Sequence, residues 1–249
     1  MKRLFLVVLA VIVLLPFSSP AVEGGKVTYE IDGEAYEGYF ISPGDKAPLI
    51  LLIHDWDGLT GYEVKRAGML ADMGYAVFAA DLFGAGVRPT KVDDKRQHTG
   101  ELYKDREKMR RLMTGALEIA AGKGADTGRA VAMGYCFGGA AVLELARAGA
   151  GLKGFATFHG GLKTPEGQNY SQAKGSFLIM HGTADSAITM DQFAALAQEL
   201  ESAGIAHEMI TYGGAQHAFT VLGGKRYQET ADKASWKRFQ EFLADKLGK

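Results

Sequence analysis

The chain has 249 residues, a length that suits one domain with a large buried core. Hydrophobic residues make up 47% of the sequence and charged residues 23%, which is ordinary for a globular protein. The formal net charge is −1 and no basic cluster stands out, so the charge pattern excludes the strongly basic class of nucleic-acid-binding proteins. Nothing in it indicates an anionic lipid as a partner either.

The first residues resemble a secretory signal peptide. Two basic residues, Lys2 and Arg3, precede the apolar run 4–17, and small residues follow it. That run is shorter than the roughly 20 residues that span a membrane. We therefore expect 1–21 to be removed and 22–249 to form a single domain, exported to the periplasm or secreted and without stable membrane association. An uncleaved membrane anchor is the alternative.

The predicted elements begin with an antiparallel hairpin and then alternate between strands and helices. Strands 26–31 and 35–41 flank Asp32-Gly33, a dipeptide that favours a tight hairpin turn. The later strands are short apolar runs, typical of strands buried on both faces of a parallel sheet. The predicted strands are 48–54, 75–81, 129–133, 154–158, 176–181 and 206–212, and the segments predicted as helical are 62–73, 91–122, 137–148, 190–203 and 227–247. This alternation predicts an α/β fold, a mostly parallel sheet with helices on both faces.

The chain has one cysteine, Cys136. A lone cysteine cannot form an intrachain disulfide, so it is a buried inert thiol, an intermolecular link or a reactive group. Cys136 lies in the pattern G-x-C-x-G between a predicted strand and a predicted helix, which is the nucleophile elbow with Cys in place of Ser. The N–H groups of the helix N-terminus favour a thiolate, and the N–H of Phe137 faces a developing oxyanion. A structural cysteine in a tight turn remains the alternative.

Two further residues complete a catalytic triad in the order nucleophile, acid, base. Asp185 follows a predicted strand, and His217 lies in a glycine-rich loop after the last predicted strand. Active-site groups collect at the carboxyl ends of parallel strands, so we expect both residues to meet Cys136 there. His217 would then ionise the thiol, and Asp185 would fix the imidazole tautomer. Helix capping by Asp185 is the alternative, although Thr189 is better placed for that role.

The loop 53–58, which overlaps the end of strand 48–54, contains His54, Asp55 and Trp56. A nucleophile elbow is commonly completed by a second oxyanion donor from such an early loop, and the N–H of Trp56 is the candidate. His54 and Asp55 lie beside it, and structural packing of the loop explains them equally well.

Six segments are similar to the dienelactone hydrolase family, and the resemblance runs from about residue 35 to the C-terminus. They are IHDWDGL from Ile53, ADLFGAG from Ala80, MGYCFGG from Met133, FHGGL from Phe158, HGTAD from His181 and YGGAQHAFT from Tyr212. The resemblance implies an α/β-hydrolase fold and a Cys-His-Asp triad carried by Cys136, His217 and Asp185. It also implies oxyanion donors at Phe137 and Trp56, and no metal or cofactor.

The resemblance further implies substrate-binding residues. Family members carry an acidic residue that gates the thiol, and Asp55 occupies that position, where Glu is more common. The dienelactone-opening enzyme holds its substrate carboxylate with two arginines. Arg88 is a displaced candidate for one, and Val221 stands where the other is expected. Losing one arm of the clamp weakens carboxylate binding by roughly 1–3 kcal/mol, which argues against dienelactone as the substrate.

The leading hypothesis is a thiol hydrolase that acts on a small-molecule ester or lactone, as a monomer or homodimer. Two alternatives remain open. One is a non-catalytic ligand-binding protein on the same scaffold, because fold alone does not imply activity. The other is a one-cysteine redox protein, since the chain has no second cysteine to resolve a disulfide.

Overall fold

The computed structural model describes residues 23–248, so the expected signal peptide lies outside the described residues. Within them, no helix combines the length and hydropathy needed to cross a membrane. The strands are β1 (Gly25–Ile31), β2 (Glu34–Ile41), β3 (Pro48–Ile53), β4 (Ala76–Ala80), β5 (Asp126–Tyr135), β6 (Gly154–Phe158), β7 (Ser176–Gly182) and β8 (His207–Tyr212). The helices are α1 (Gly61–Asp72), α2 (Val92–Lys104), α3 (Arg106–Gly122), α4 (Phe137–Arg147), α5 (Met190–Ser202) and α6 (Glu229–Leu247).

These eight strands form one sheet in the order β1-β2-β4-β3-β5-β6-β7-β8. The pairs β1–β2 and β2–β4 are antiparallel, and all pairs from β4 to β8 are parallel. The hairpin turn uses the left-handed region at both central residues, with φ of 55° at Asp32 and 77° at Gly33. The predicted α/β fold with an N-terminal antiparallel hairpin is confirmed.

Strand β3 shows why the central strands are continuously apolar. All six of its residues are buried, and alternate side chains enter two separate cores. Leu49 and Leu51 pack on the face covered by α3, α4 and α5. Ile50 and Leu52 pack on the face covered by α1 and α6. Helices on both faces leave no solvent-exposed side, and alternation with polar residues is therefore absent.

The stretch 91–122, predicted as largely helical, is divided into two helices at Asp105. This residue has φ −108° and ψ 77°, outside the helical region. Its side chain accepts a hydrogen bond from the N–H of Lys108 at 2.8 Å and so caps the start of α3. The break turns α2 into a separate segment with only Thr99 and Leu102 buried.

The topology brings four loops to one edge of the sheet. Strands β3, β5, β7 and β8 run parallel, so their carboxyl ends, at Ile53, Tyr135, Gly182 and Tyr212, lie on the same side. The residues that follow these ends include every triad and oxyanion candidate named from the sequence. This edge is where ligands bind in parallel α/β sheets.

Candidate active site

Cys136 lies on a strained turn between β5 and α4, with φ 49° and ψ −111°. Such a conformation costs about 1–3 kcal/mol for a residue with a side chain. The flanking glycines allow the turn because the chain segments nearly touch. A Cβ on Gly134 would lie 2.3 Å from the backbone of Gly138, and one on Gly138 would lie 2.4 Å from the carbonyl oxygen of Ile53. The G-x-C-x-G pattern is therefore a steric requirement of this elbow.

The structure brings together the three residues that the sequence nominated as a triad. Nε2 of His217 lies 3.0 Å from Sγ of Cys136, and Nδ1 of His217 lies 2.7 Å from Oδ2 of Asp185. The imidazole thus bridges the thiol and the carboxylate. With the ionised carboxylate as acceptor, the proton of the neutral ring lies on Nδ1 and leaves Nε2 free to accept the thiol proton.

Asp185 is held as an ionised acceptor. Its Oδ1 accepts the N–H groups of Ala187 and Ile188, each at 2.9 Å. Burial alone raises the pKa of this carboxyl, but the hydrogen bonds from His217 and Ile188 outweigh burial and leave the pKa below its usual value. The role of capping α5 falls instead to Thr189, whose hydroxyl accepts the N–H of Gln192 at 3.4 Å.

The helix N-terminus lowers the pKa of the thiol as expected, through the N–H of Phe137, but the expected thiolate is not the resting form. Burial raises the pKa of Cys136 well above its ordinary value, and the carboxylate of Asp55 raises it further. The N–H of Phe137 acts in the opposite direction and is outweighed. Cys136 as a residue keeps partial exposure to solvent. The resting thiol is neutral because burial and Asp55 both raise its pKa.

Asp55 lies between one oxyanion candidate and the thiol. The N–H of Trp56 donates to Oδ1 of Asp55 at 2.5 Å, and the same carboxyl interacts with the thiol of Cys136. Burial raises the pKa of Asp55, and the hydrogen bond from Trp56 only partly offsets this rise. The N–H of Phe137 reaches the thiol from the start of α4. The predicted donor at Phe137 thus contacts the thiol directly, whereas the N–H of Trp56 is linked to it through the carboxyl group of Asp55.

His54 stabilises this loop through hydrogen bonds with the backbone. Its Nδ1 lies 2.6 Å from the carbonyl oxygen of Asp55, and its Nε2 lies 3.1 Å from the backbone nitrogen of Leu82. Because Nδ1 must donate and Nε2 must accept, both contacts require the neutral imidazole. Burial lowers the pKa of His54 and favours that form. The structural reading of His54 is the one that the geometry supports.

Arg88, the candidate for holding a substrate carboxylate, uses its guanidinium to tie loops together. It donates to the carbonyl oxygens of Val87 at 2.7 Å and Glu37 at 3.1 Å, and also to that of Leu59. It forms an ion pair with buried Asp81 at 3.4 Å. None of these partners belongs to the triad. Val221, at the position expected for the second arginine, closes a turn by donating its N–H to the carbonyl oxygen of Ala218.

Two residues near the site were not predicted from the sequence. Glu63 is buried, accepts the N–H of Thr60 at 2.7 Å, and lies 3.5 Å from the backbone nitrogen of Asp55. Burial raises the pKa of Glu63 to about 7. The spacing Thr60-x-x-Glu63 is a capping-box pattern and could have revealed it. Tyr103 packs edge-on against the ring of Phe137, with 5.5 Å between centroids, and no motif marks it.

A cavity of about 480 Å³ borders the elbow. It is lined in part by Tyr103, Arg106, Gly161 and Ile188. The N–H of Gly161 donates to the carbonyl oxygen of Cys136 at 3.2 Å, so the cavity lies next to the turn that carries Cys136, although no triad residue lines it. A larger groove of about 750 Å³ lies along α5 and includes no triad residue. In residues 23–248, no cluster of three or more His, Cys, Asp or Glu side chains is arranged to hold a metal ion.

Known proteins share both the sequence pattern and the fold. The model of the dienelactone hydrolase family matches residues 36–247. A relative from Saccharolobus solfataricus, provisionally named a carboxymethylenebutenolidase, is 24% identical over 88% of this chain and 97% of its own. A similar solved structure is a dienelactone hydrolase-like promiscuous phosphotriesterase from metagenomic libraries. It is 29% identical, covers 92% of this chain and 100% of its own, and has a TM-score of 0.85.

A second solved structure, provisionally described as a dienelactone hydrolase from Klebsiella pneumoniae, is 21% identical and has a TM-score of 0.76. It covers 90% of this chain and 99% of its own, and at this identity it supports the fold alone. The expected α/β-hydrolase fold is confirmed. Because the family model matches residues 36–247, nearly the whole of the described chain, the chain belongs to the dienelactone hydrolase family of carboxylic ester and lactone hydrolases.

Proposed function

We propose that the chain hydrolyses small carboxylic esters or lactones by nucleophilic catalysis at Cys136. The observation that carries this proposal is the bridging imidazole of His217, 3.0 Å from the thiol and 2.7 Å from Asp185. A neutral thiol is a poor nucleophile, and a base within hydrogen-bond distance is the arrangement that activates it. The cavity beside the elbow provides space for the substrate.

In the proposed acylation step, Sγ of Cys136 attacks the carbonyl carbon while Nε2 of His217 takes the thiol proton. The negative charge that develops on the carbonyl oxygen is stabilised by the N–H groups of Phe137 and Trp56. The ester C–O bond then breaks, and His217 returns the proton to the departing alkoxide. Water attacks the thioester with His217 again as base, releases the acid and regenerates the thiol. A lactone gives one ring-opened product.

For this step to proceed, the carboxylate of Asp55 must release the N–H of Trp56. Its carboxylate occupies the N–H of Trp56 in the resting site, so a substrate carbonyl has to displace it. Until then the carboxylate keeps the pKa of Cys136 raised and the thiol neutral. Neutral thiols resist oxidation, which suits the exported location that we propose from residues 1–21.

The acyl-enzyme provides the direct test. We expect p-nitrophenyl acetate to release p-nitrophenol and to leave an acetyl group on the protein when the reaction is quenched with acid during turnover. Trypsin should place that group on peptide 130–147, whose only nucleophile of this kind is Cys136. The measurement is mass spectrometry of the quenched sample, before and after the ester is exhausted.

Three outcomes of the trapping experiment contradict the proposal. Release of p-nitrophenol without an adduct on peptide 130–147 at any quench time places the nucleophile elsewhere. Absence of release with a panel of aryl esters and lactones favours the ligand-binding alternative. An adduct that forms once and never turns over likewise contradicts a hydrolytic cycle.

Replacing Asp55 with Asn is expected to make the thiol more reactive. The carboxylate raises the pKa of Cys136, so its removal lowers that pKa and increases the thiolate fraction at neutral pH. Each pKa unit changes the thiolate fraction tenfold, and the lower nucleophilicity of the thiolate offsets part of the gain. We expect slow iodoacetamide labelling of the parent and labelling roughly three- to tenfold faster in Asp55→Asn.

Asp57→Asn is the matched control because Asp57 lies two residues away and pairs with Lys95 at 3.4 Å. Its labelling rate should stay within about twofold of the parent, since Asp57 is partly exposed and affects the pKa of Asp55 less than burial does. Rapid stoichiometric labelling of the parent at neutral pH would show that Asp55 does not gate the thiol. Equal rates in Asp55→Asn and the parent would lead to the same conclusion.

A further inference from the structure

Thr220, three residues after His217, is held by several elements at once. The residue is fully buried. Its hydroxyl accepts the phenolic hydrogen of Tyr62 at 2.9 Å and lies 2.8 Å from Nε2 of His159. Its carbonyl oxygen accepts a hydrogen bond from Nη2 of Arg66 at 3.1 Å. Tyr62 and Arg66 both belong to α1, so the loop that carries His217 is fastened to that helix.

A buried ion pair supports this attachment. Arg66 is 2% exposed and pairs with Asp232 of α6 at 2.5 Å. The Arg66 guanidinium also lies over the rings of Trp236, at 4.8 Å, and Tyr62, at 5.3 Å. Burying two charges costs desolvation energy that their attraction does not reliably recover, so such a pair is weak evidence for stability. Its clearer consequence here is a fixed position for the carbonyl of Thr220.

The loop needs fastening because its backbone is strained. Ala218, directly after His217, has φ 65°, a value that residues with a side chain rarely adopt. The turn is closed by the N–H of Val221, which donates to the carbonyl oxygen of Ala218 at 3.1 Å. Strained conformations persist only where the surrounding structure holds them in place. Thr220, inside this turn, is the residue through which α1 and α6 do so.

His159 links Thr220 to the catalytic imidazole by a second route. Its ring meets the ring of His217 edge-on, with 5.2 Å between centroids, while its Nε2 contacts the Thr220 hydroxyl. Burial lowers the pKa of His159 well below its usual value, so the ring is neutral and acts by packing. The titratable groups around His217 include the thiol of Cys136, the carboxyl groups of Asp185 and Asp55, and the rings of His159 and His181.

We infer that Thr220 is a positioning residue for His217, which it holds against Cys136 and Asp185 through its hydrogen bonds with Tyr62, Arg66 and His159. The inference rests on the proposed role of His217 as the base. It concerns a residue that touches neither thiol nor carboxylate in the structure, so its effect is transmitted through the loop. The hydroxyl of Thr220 is the group that can be removed with the least change in shape.

The test compares Thr220→Val with Thr220→Ser. Valine keeps the shape and loses the hydroxyl, whereas serine keeps the hydroxyl. A displacement of about 1 Å can cost about 10²-fold in rate, so Thr220→Val should lower kcat for p-nitrophenyl acetate ten- to hundredfold with little change in KM. Thr220→Ser should recover most of that loss. Tyr62→Phe, which removes one donor to Thr220, should give a smaller loss in the same direction.

The second readout is alkylation of Cys136 by iodoacetamide as a function of pH. A displaced His217 no longer accepts the thiol proton, so in Thr220→Val the alkylation profile should shift to higher pH and the neutral-pH rate should fall. General loosening of the fold exposes the thiol and raises that rate, which is the opposite direction. A rise in Thr220→Val would therefore overturn the inference in favour of a purely structural role.

Parent-like kcat and a parent-like alkylation profile in Thr220→Val would also overturn it. The alkylation profile requires no turnover, so it decides the question about Thr220 even if no ester is hydrolysed. If the parent hydrolyses none of the esters tested, the proposed function is contradicted. A shifted profile in Thr220→Val and a restored one in Thr220→Ser would still support the positioning role.

Discussion

Replacing Cys136 with Ala is expected to lower kcat/KM for p-nitrophenyl acetate by at least about 10³-fold. The thiol is the only group at the elbow that can form an acyl intermediate, and His217 lies 3.0 Å from it with Nε2 ready to accept its proton. What remains after its removal is the oxyanion environment and binding, which alone give modest acceleration over water. The measurement is steady-state hydrolysis at neutral pH with both proteins purified in the same way.

Cys136→Ser is the matched control for shape. The serine hydroxyl fits the strained turn, but its much higher pKa makes it hard to ionise in a buried site that already raises the thiol pKa. We therefore expect the Ser variant to fold like the parent and to be nearly as slow as the Ala variant. Equal rates in the parent and Cys136→Ala would show that turnover does not pass through this residue, and the proposed mechanism would be wrong.

The elbow could be predicted because its requirements are local. The close contacts of Gly134 and Gly138 arise because a strand turns directly into a helix. A few consecutive residues determine that geometry. The spatial proximity of Cys136, Asp185 and His217 could be predicted for a related reason. Each follows a strand, and parallel strands place their carboxyl ends at one edge.

The protonation state of the thiol could not be predicted in the same way. The helix N-terminus after Cys136 is visible in the sequence and favours a thiolate, but burial and the Asp55 carboxylate are stronger in the structure. Both depend on how the β3 and β5 loops pack together. A local pattern identifies the field of one helix, whereas the pKa is the sum over every neighbouring group.

The roles of residues around the site could not be predicted from the sequence either. Arg88 has the side chain of a carboxylate binder, but its donors are used by carbonyl oxygens of neighbouring loops. Thr220 is the last residue of the segment YGGAQHAFT, but the segment does not show its partners, Tyr62 and Arg66, which are over 150 positions away in the chain. Such contacts between distant segments leave no periodic or motif signal, so one sequence does not reveal them.

Asp185→Asn is expected to lower kcat by about 10³- to 10⁴-fold while leaving the fold intact. Oδ1 of Asp185 accepts two backbone N–H groups, from Ala187 and Ile188, at 2.9 Å each. These donors need an acceptor, so the amide oxygen of Asn must take that position and its NH₂ group must face His217. Nδ1 of His217 then accepts, and Nε2 carries the proton. A protonated Nε2 cannot take the proton of the Cys136 thiol.

The dependence on pH separates this tautomer effect from simple damage to the site. With His217 unable to act as base, solvent must deprotonate a thiol whose pKa is raised, so the rate of Asp185→Asn should keep increasing with pH through the alkaline range. Measured pH–rate profiles of the parent and variant test this. A uniform loss at every pH would contradict the tautomer argument. The exposed neighbour Asp191 provides the control, and Asp191→Asn should behave like the parent.

The stability of Asp185→Asn should differ from that of the parent in how it depends on acid pH, whereas its activity differs at alkaline pH. The pKa of Asp185 is lowered in the folded protein, so the ionised carboxylate stabilises the fold above its unfolded pKa of about 3.9. That contribution is lost as the pH falls through the folded pKa. Asn does not titrate, so unfolding of Asp185→Asn should depend less on pH below about 4 than unfolding of the parent. Activity that recovers at high pH together with a flatter acid limb of stability would identify one ionised carboxylate as the source of both effects.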